Sequence, residues 1–313
     1  MKKIAILIAA SLTLVGCAPQ ETVVRLATHD SFYMTDEQLA SFTEQTGYEL
    51  EIIKLGDTGS LTNQLVLSKN APIADAVYGI DNTFEKVATD NKITDKLTPI
   101  NYGDVCFNYD IKWFEDSGIT PPTSWRQLGD EQYRGLTVVT NPILSSPGFA
   151  FLATTYAGFE TNAEVFAYWR SLRDNGVKVA SDWTAAYFSD FTRYGGNRPI
   201  VLSYASSLAA EIDESGGPLT AALLDECFRQ TEYAAVLTGA KNQAGAKAVV
   251  EFLLSEEVQR DLPWNMFVYP VLDLPLPEGW PAFAIPARST IGEDIDFSNR
   301  ERLLKDWGDV FDN

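Results

Sequence analysis

The segment 22–82 alternates strand and helix patterns, and that alternation restricts the fold more than any other feature of the chain. TVVRLAT (22–28) reads as a buried strand. Thr35 is placed to cap a helix, with Gln38 at capping-box spacing. Leu39 and Phe42 give that helix an inner face and Gly47 gives it an end. YELEIIKL (48–55) is a second strand, GDTGS (56–60) a loop, and 60–70 a second helix with Leu61 and Leu65 inward. ADAVYGI (74–80) is a third strand. Strand–helix–strand–helix–strand in this order implies a parallel sheet with right-handed crossovers. Such sheets bind ligands beyond the carboxyl ends of their strands. Those ends carry His29-Asp30-Ser31, the run Gly56 to Ser60 (with Asp57), and Gly79 to Asn82 (with Asp81).

The pattern restarts after NYGDVCFNYD (101–110). GLTVVTNP (135–142) is a strand, and SSPGFAFLATTYAGF (145–159) a helix with Pro147 in its first turn. AEVFAYWRSLRDNG (163–176) and DWTAAYFSDF (182–191) are further helices, and PIVLSYASS (199–207) a strand. CFRQTEYAAVL (227–237) reads as a strand crossing back to the first half. The helices at 242–259 and 299–311 are expected to close that first half. The expected fold is α/β, with two lobes that are each a mostly parallel sheet flanked by helices. Two extended crossings near 102–109 and 227–235 join them. Lobe 1 would hold 23–102 and 236–313, and lobe 2 would hold 103–235 with the hinge strands.

Residues 1–17 read MKKIAILIAASLTLVGC. Lys2 and Lys3 precede an apolar run from Ile4 to Val15, too short for the ~20 residues a spanning helix needs. Leu14-Val15-Gly16-Cys17 looks like a bacterial lipobox, so residues 1–16 are expected to be a lipoprotein signal peptide and 17–22 a tether lipidated at Cys17. A plain signal peptide with a chance cysteine, or an uncleaved anchor, is the alternative. Cys106 and Cys227 remain, an even number for an oxidising compartment. They are expected to pair across neighbouring hinge strands, and two buried free thiols are the other option.

The net charge is −19, from 43 acidic and 24 basic residues. That balance argues against nucleic acid as a partner, which needs basic patches. It suits a cationic ligand, although solubility alone also accounts for most of the carboxylates. His29 is the one histidine, so His-rich metal sites are excluded, and no catalytic motif is present. Asp57 and Asp81 stand at strand-end loops. Ser145 and Ser146 stand at a helix start, which can bind an anion or simply be capped. Trp183 and Tyr187 share a helix face; Tyr204 ends a strand; Phe267 and Tyr269 flank the segment before Pro270. Stacked aromatic faces with a carboxylate hold a flat cation well, and each ring alone is more readily a core residue.

The pieces THDSF (28–32), GDTGSLTNQL (56–65), ADAVYGIDN (74–82), SSPGFAF (145–151), DWTAAY (182–187), VLSYASS (201–207) and WNMFVYPV (264–271) resemble, in order and spacing, the thiamine-binding solute receptors of ABC importers. These form a branch of the two-lobed periplasmic binding proteins. The resemblance covers nearly the whole mature chain. It implies capture of thiamine or its phosphate esters outside the cell and delivery to a permease driven by an ATPase, by a monomer that reaches the membrane through its lipid anchor only. With one histidine and no catalytic or metal motif, no cofactor, no metal and no catalysis are expected. By position, Asp57, within the loop that includes Ser60, would meet the aminopyrimidine, and Trp183 and Tyr204 would line the ring site. Ser145 and Ser146 would face the hydroxyethyl or phosphate end, and Phe267 and His29 would close the pocket. The family commonly has tyrosine at the position of His29, tryptophan near Phe267, and tyrosine where this chain has Ala210. A protonated His29 would repel a cation and make binding pH-sensitive.

Related receptors take ferric ion through adjacent tyrosines, a pair this chain lacks, or polyamines through aromatic walls with several carboxylates. A surface esterase or phosphatase using Ser145-Ser146 with His29 and a ligand-free structural lipoprotein are the readings from other classes.

Overall fold

The computed structural model describes residues 22–312. The signal peptide, Cys17 and most of the tether lie outside the described residues. The strands are β1 (Val23–Thr28), β2 (Glu49–Lys54), β3 (Ala76–Asp81), β4 (Thr98–Asp110), β5 (Thr137–Thr140), β6 (Lys178–Ala180), β7 (Ile200–Tyr204), β8 (Thr220–Val236) and β9 (Tyr269–Pro270). They form one sheet in the order β2-β1-β3-β8-β4-β7-β5-β6, with β9 on β4. β1 pairs in parallel with β2 and β3, and β5 with β6 and β7. The long β4 and β8 run antiparallel to each other between these two parallel groups. Each group thus forms the sheet of one lobe, and β4 and β8 are the two crossings.

Local signals set the first helices. Thr35 and Gln38 make the reciprocal capping box at the start of α1 (Asp36–Thr46), and Gly47 ends it in the left-handed region, φ 74. α2 (Thr58–Leu67) begins two residues earlier than the spacing implies. Asp57 is its cap and accepts from Thr58 N at 2.7 Å. Ser60 therefore sits inside the helix. α3 (Glu85–Asp90) and α4 (Ile111–Ser117) are short. α5 (Ser146–Gly158) and α6 (Asn162–Asp174) cover the second lobe. The stretch at 182–191 is a single turn, α7 (Trp183–Ala185), running into a wider π turn over 186–190.

Three expectations are corrected. The stretch 242–259 is two helices, α8 (Gln243–Leu253) and α9 (Glu256–Met266). Ser255 takes an extended conformation between them and caps α9, with Glu256 and Glu257 in its first turn. β8 begins at 220 rather than 227; Asp225 and Glu226 mask its first half as a bulge, and Glu226 has φ 55. The last helix, α10 (Arg300–Asp312), does not close the first lobe. Its Leu303, Trp307 and Val310 join the second-lobe core beside Trp169 of α6.

Cys106 on β4 and Cys227 on β8 form a disulfide, Cα to Cα 4.9 Å, at the point where the β4–β8 register shifts. The first lobe packs both faces of its sheet, with Leu26, Phe42 and Tyr78 in one core and Leu61, Val77 and Ile80 in the other. Between the lobes, Arg300 is buried with its guanidinium carbon 3.8 Å from the Phe84 ring centre and 3.7 Å from that of Phe149. It donates to Thr83 O of the first lobe (3.3 Å) and Pro142 O of the second (3.2 Å). No helix among the described residues is long and apolar enough to cross a membrane.

Candidate functional site

A cleft of about 830 Å³ lies between the lobes. The first lobe contributes His29 after β1, Asp57 and Thr58 at the start of α2, and Met266 to Val268 at the end of α9. The second contributes Trp183, Tyr187, Phe188 and Tyr194, with Tyr204 at the end of β7 and Ser207 and Ala210 beyond it. Asn101 and Gly103 of β4 and Gln230 and Glu232 of β8 supply the floor.

The lobes already touch across it. Gly59 N donates to Leu144 O at 3.0 Å, and Trp183 N donates to Asp57 Oδ2 at 3.2 Å. A Cβ on Gly59 would lie 2.5 Å from Leu144 O, so glycine permits this approach.

The floor holds a buried charge pair. His29 Nε2 is 3.2 Å from Glu232 Oε1. Tyr78 Oη donates to Glu232 Oε2 at 2.7 Å and accepts from Asn101 Nδ2. The imidazole lies so close over β3 that a Cβ on Gly79 (φ 100) would come within 2.2 Å of it. Burial alone depresses the His29 pKa, but the Glu232 carboxylate beside it, with Asp57 and Asp81 farther off, outweighs burial and holds it above its ordinary value. Burial works to raise Glu232, and His29, Tyr78 and Asn101 overcome it, leaving the carboxyl below its usual range. Asp57 is raised by burial, against the opposing effect of Ser145 and its two backbone donors. Asn101 Oδ1 and Gln230 Oε1 are buried acceptors without a partner; Gln230 Nε2 donates to Tyr204 Oη at 3.0 Å.

The wall is aromatic. Trp183 and Tyr187 stack with ring centres 5.0 Å apart at 23°, and Trp183 Nε1 donates to Ser203 Oγ at 3.0 Å. Phe267 caps α9 in the left-handed region, φ 54, and its carbonyl accepts from Ser206 Oγ at 2.6 Å. Tyr187 and Tyr194 both reach Glu211 Oε1, at 3.1 and 2.8 Å.

Of the residues singled out from sequence, His29, Asp57, Trp183, Tyr187, Tyr204 and Phe267 line the cleft together. The three positions that differ from the family pattern, His29, Ala210 and Phe267, all lie there. Five residues do not. Ser60 packs its Cβ against Gly56, and Tyr269 donates to Ala284 O at 2.6 Å with its ring on Trp280. Asp81 is fully buried, accepting from Thr83 N (2.8 Å) and Thr83 Oγ1 (2.6 Å), and burial pushes its carboxyl up to about 6. Ser145 and Ser146 are buried beside Asp57 and Asp81, neither making a well-aligned hydrogen bond. Neither serine lines the cleft.

Sequence reasoning missed Asn101, Gln230 and Glu232. Their signal was present: Phe228, Gln230, Glu232 and Ala234 alternate on the buried face of β8, and polar residues on a buried face need a partner.

Residues 73–286 match the family described as bacterial extracellular solute-binding protein. The chain is 28% identical over 267 residues to the thiamine-binding periplasmic protein of Salmonella typhimurium (strain LT2), covering 79% of each chain. It is 27% identical over 288 residues to the thiamine-binding periplasmic protein of Escherichia coli (strain K12), covering 85% of each. A solved periplasmic thiamin binding protein superposes with a TM-score of 0.81 at 22% identity, covering 95% of this chain and 99% of that one. With a family match across more than half its length and two lobes joined by β4 and β8, the chain belongs to the bacterial extracellular solute-binding proteins.

Proposed function

We propose that this protein captures thiamine outside the cytoplasm and delivers it to an ABC importer, held at the membrane by a lipidated Cys17. The observation that carries this reading is the cleft itself. Stacked Trp183 and Tyr187, with Tyr204 and Phe267, offer flat faces, Asp57 offers a carboxylate, Glu232 shares its charge with His29, and among the described residues no lysine or arginine lines the space. A flat organic cation is the ligand such a site favours. The names of the two curated relatives point to the same vitamin. The disulfide suits an oxidising compartment.

A ferric-ion role is less well served. The chain has no adjacent tyrosine pair, and among the described residues no group of three or more His, Cys, Asp or Glu side chains is placed to hold a metal ion. Ser145 and Ser146 stand outside the cleft, so neither presents a nucleophile to a bound ligand.

Calorimetric titration of the full-length chain, purified in detergent, tests the reading. Submicromolar binding of thiamine is expected, with Trp183→Ala weakening it roughly 30-fold for a cation–π contact of about 2 kcal/mol. Tight binding indifferent to both Trp183→Ala and Asp57→Ala would refute the site.

A further inference from the structure

The strands that join the lobes change neighbours along their length. On β8, pairing with β3 ends where Asp81 lies opposite Glu232. On β4, pairing with β9 ends at Tyr102, and pairing with β7 begins at Val105, opposite Tyr204. Between these points, among the described residues, Gly103 and Asp104 of β4 pair only with Gln230 and Arg229 of β8. We infer that the lobes move about this short two-stranded ribbon, and that the Cys106–Cys227 disulfide and the Asp104–Arg229 ion pair keep the pivot stiff and thereby raise ligand affinity.

A ribbon of two strands has no lateral neighbours to resist twisting. Relative movement of two packed bodies is absorbed by a few such residues. Here two fastenings oppose it. Arg229 Nε and Nη2 donate to Asp104 Oδ1 and Oδ2 at 2.8 and 3.0 Å, a two-pronged pair on a wholly buried carboxylate. The same guanidinium lies 4.8 Å from the centre of the Tyr102 ring.

The second fastening stands where the ribbon enters the second lobe. There the ladder breaks: Val105 faces Phe228 and Phe107 faces Leu223, so Cys106 alone stands opposite the stretch 224–227. Glu226 in that stretch has φ 55. The segment returning toward α10 holds the stretch from one side, through Arg288 N to Leu224 O (2.7 Å) and Ile291 N to Cys227 O (2.8 Å). The disulfide ties it to β4.

The pivot and the cleft floor share residues, because Gly103 and Gln230 line the cleft. Freedom that the ribbon has in the empty protein must be given up when a ligand is enclosed. Fastenings that remove it beforehand lower that loss.

The test places spin labels at Leu67→Cys on α2 and Ala163→Cys on α6, both exposed and on opposite lobes. Inter-lobe distances are compared in the otherwise native full-length chain, in Cys106→Ala with Cys227→Ala, and in Asp104→Asn, which loosens the ribbon with the disulfide intact. Without ligand, both variants are expected to give broader distributions reaching longer distances. At saturating thiamine the three should coincide. Thiamine affinity, by calorimetry, is expected to fall about 5-fold or more in the disulfide variant. Ligand-free distributions that coincide in all three proteins would overturn the inference, and so would broadening with affinity unchanged. Broadening in a chain that binds no thiamine would uphold the pivot and overturn the thiamine reading.

Discussion

Gly59 separates lobe closure from lobe stability. It is the second residue of α2, its backbone is helical, and its N–H reaches Leu144 O across the cleft. A Cβ here would lie 2.5 Å from Leu144 O and 2.8 Å from Ile143 O, both backbone atoms of the opposite lobe. Within its own lobe alanine is the better residue, because glycine in a helix gives up as much as about 1 kcal/mol to backbone entropy. On closure the methyl group overpacks a backbone that cannot rotate aside, at a typical cost of about 1–3 kcal/mol. The two effects have opposite signs and appear in different measurements. Gly59→Ala should weaken thiamine binding about 5–150-fold, the ratio that 1–3 kcal/mol represents. The melting temperature without ligand should hold or rise.

Titration calorimetry gives the affinity and scanning calorimetry the stability. Small-angle scattering at saturating thiamine gives the shape, and the variant should keep a larger radius of gyration than the parent. Unchanged affinity would show that the Gly59–Leu144 approach is not part of the ligand-holding state. A fall in melting temperature matching the affinity loss would make the defect ordinary destabilisation and refute the argument.

Three further outcomes follow from other contacts. His29 is held above its ordinary 6.5, so the stability its charge gives the empty protein is complete below that value and fades as pH rises through the raised pKa. A cationic ligand should respond oppositely, binding more tightly as His29 loses its proton; His29→Asn should flatten a plot of log Kd against pH between 6 and 9. Opening the Cys106–Cys227 disulfide frees a loop spanning 121 residues in sequence, worth at most about 5 kcal/mol on a chain-entropy basis. Reductant, or Cys106→Ser with Cys227→Ser, should lower the melting temperature by on the order of 10 °C by scanning calorimetry. Arg300→Met orphans two carbonyls, one in each lobe, at about 1–3 kcal/mol apiece, and should raise the ligand dissociation rate in stopped flow, with Arg300→Lys intermediate.

What the sequence made legible was local. The capping box at Thr35 and Gln38, the strand–helix alternation of the first lobe and the two cysteines on crossing strands depend on residues near one another or on parity. What it hid depends on the far side of a contact. Ser145 and Ser146 read as an open helix start because nothing nearby in sequence shows Asp57 and Gly59 arriving from the other lobe. The terminal helix has an apolar face suited to either lobe, and only the core around Trp169 decides between them. Glu232 sits in a strand whose buried face becomes a cleft floor through its antiparallel register with β4, where it lies opposite Asn101.

That register also divides the binding event into two parts. Asn101 and Gly103 on β4 and Gln230 and Glu232 on β8 belong to the crossing strands, so they form one surface that both lobes share. Asp57 and Trp183 belong to opposite lobes and meet, through the 3.2 Å bond from Trp183 N, only when the cleft is closed. If the lobes part, a cation would meet the shared floor, with the His29–Glu232 pair, before the aromatic wall and Asp57 enclose it. Charge at an encounter surface governs the association rate, whereas buried packing governs dissociation. Glu232→Gln should thus lower the association rate of thiamine and its dependence on salt, while Trp183→Ala should mainly speed dissociation. If stopped-flow traces assign both effects to dissociation, the floor is not the encounter surface and closure precedes recognition by Glu232.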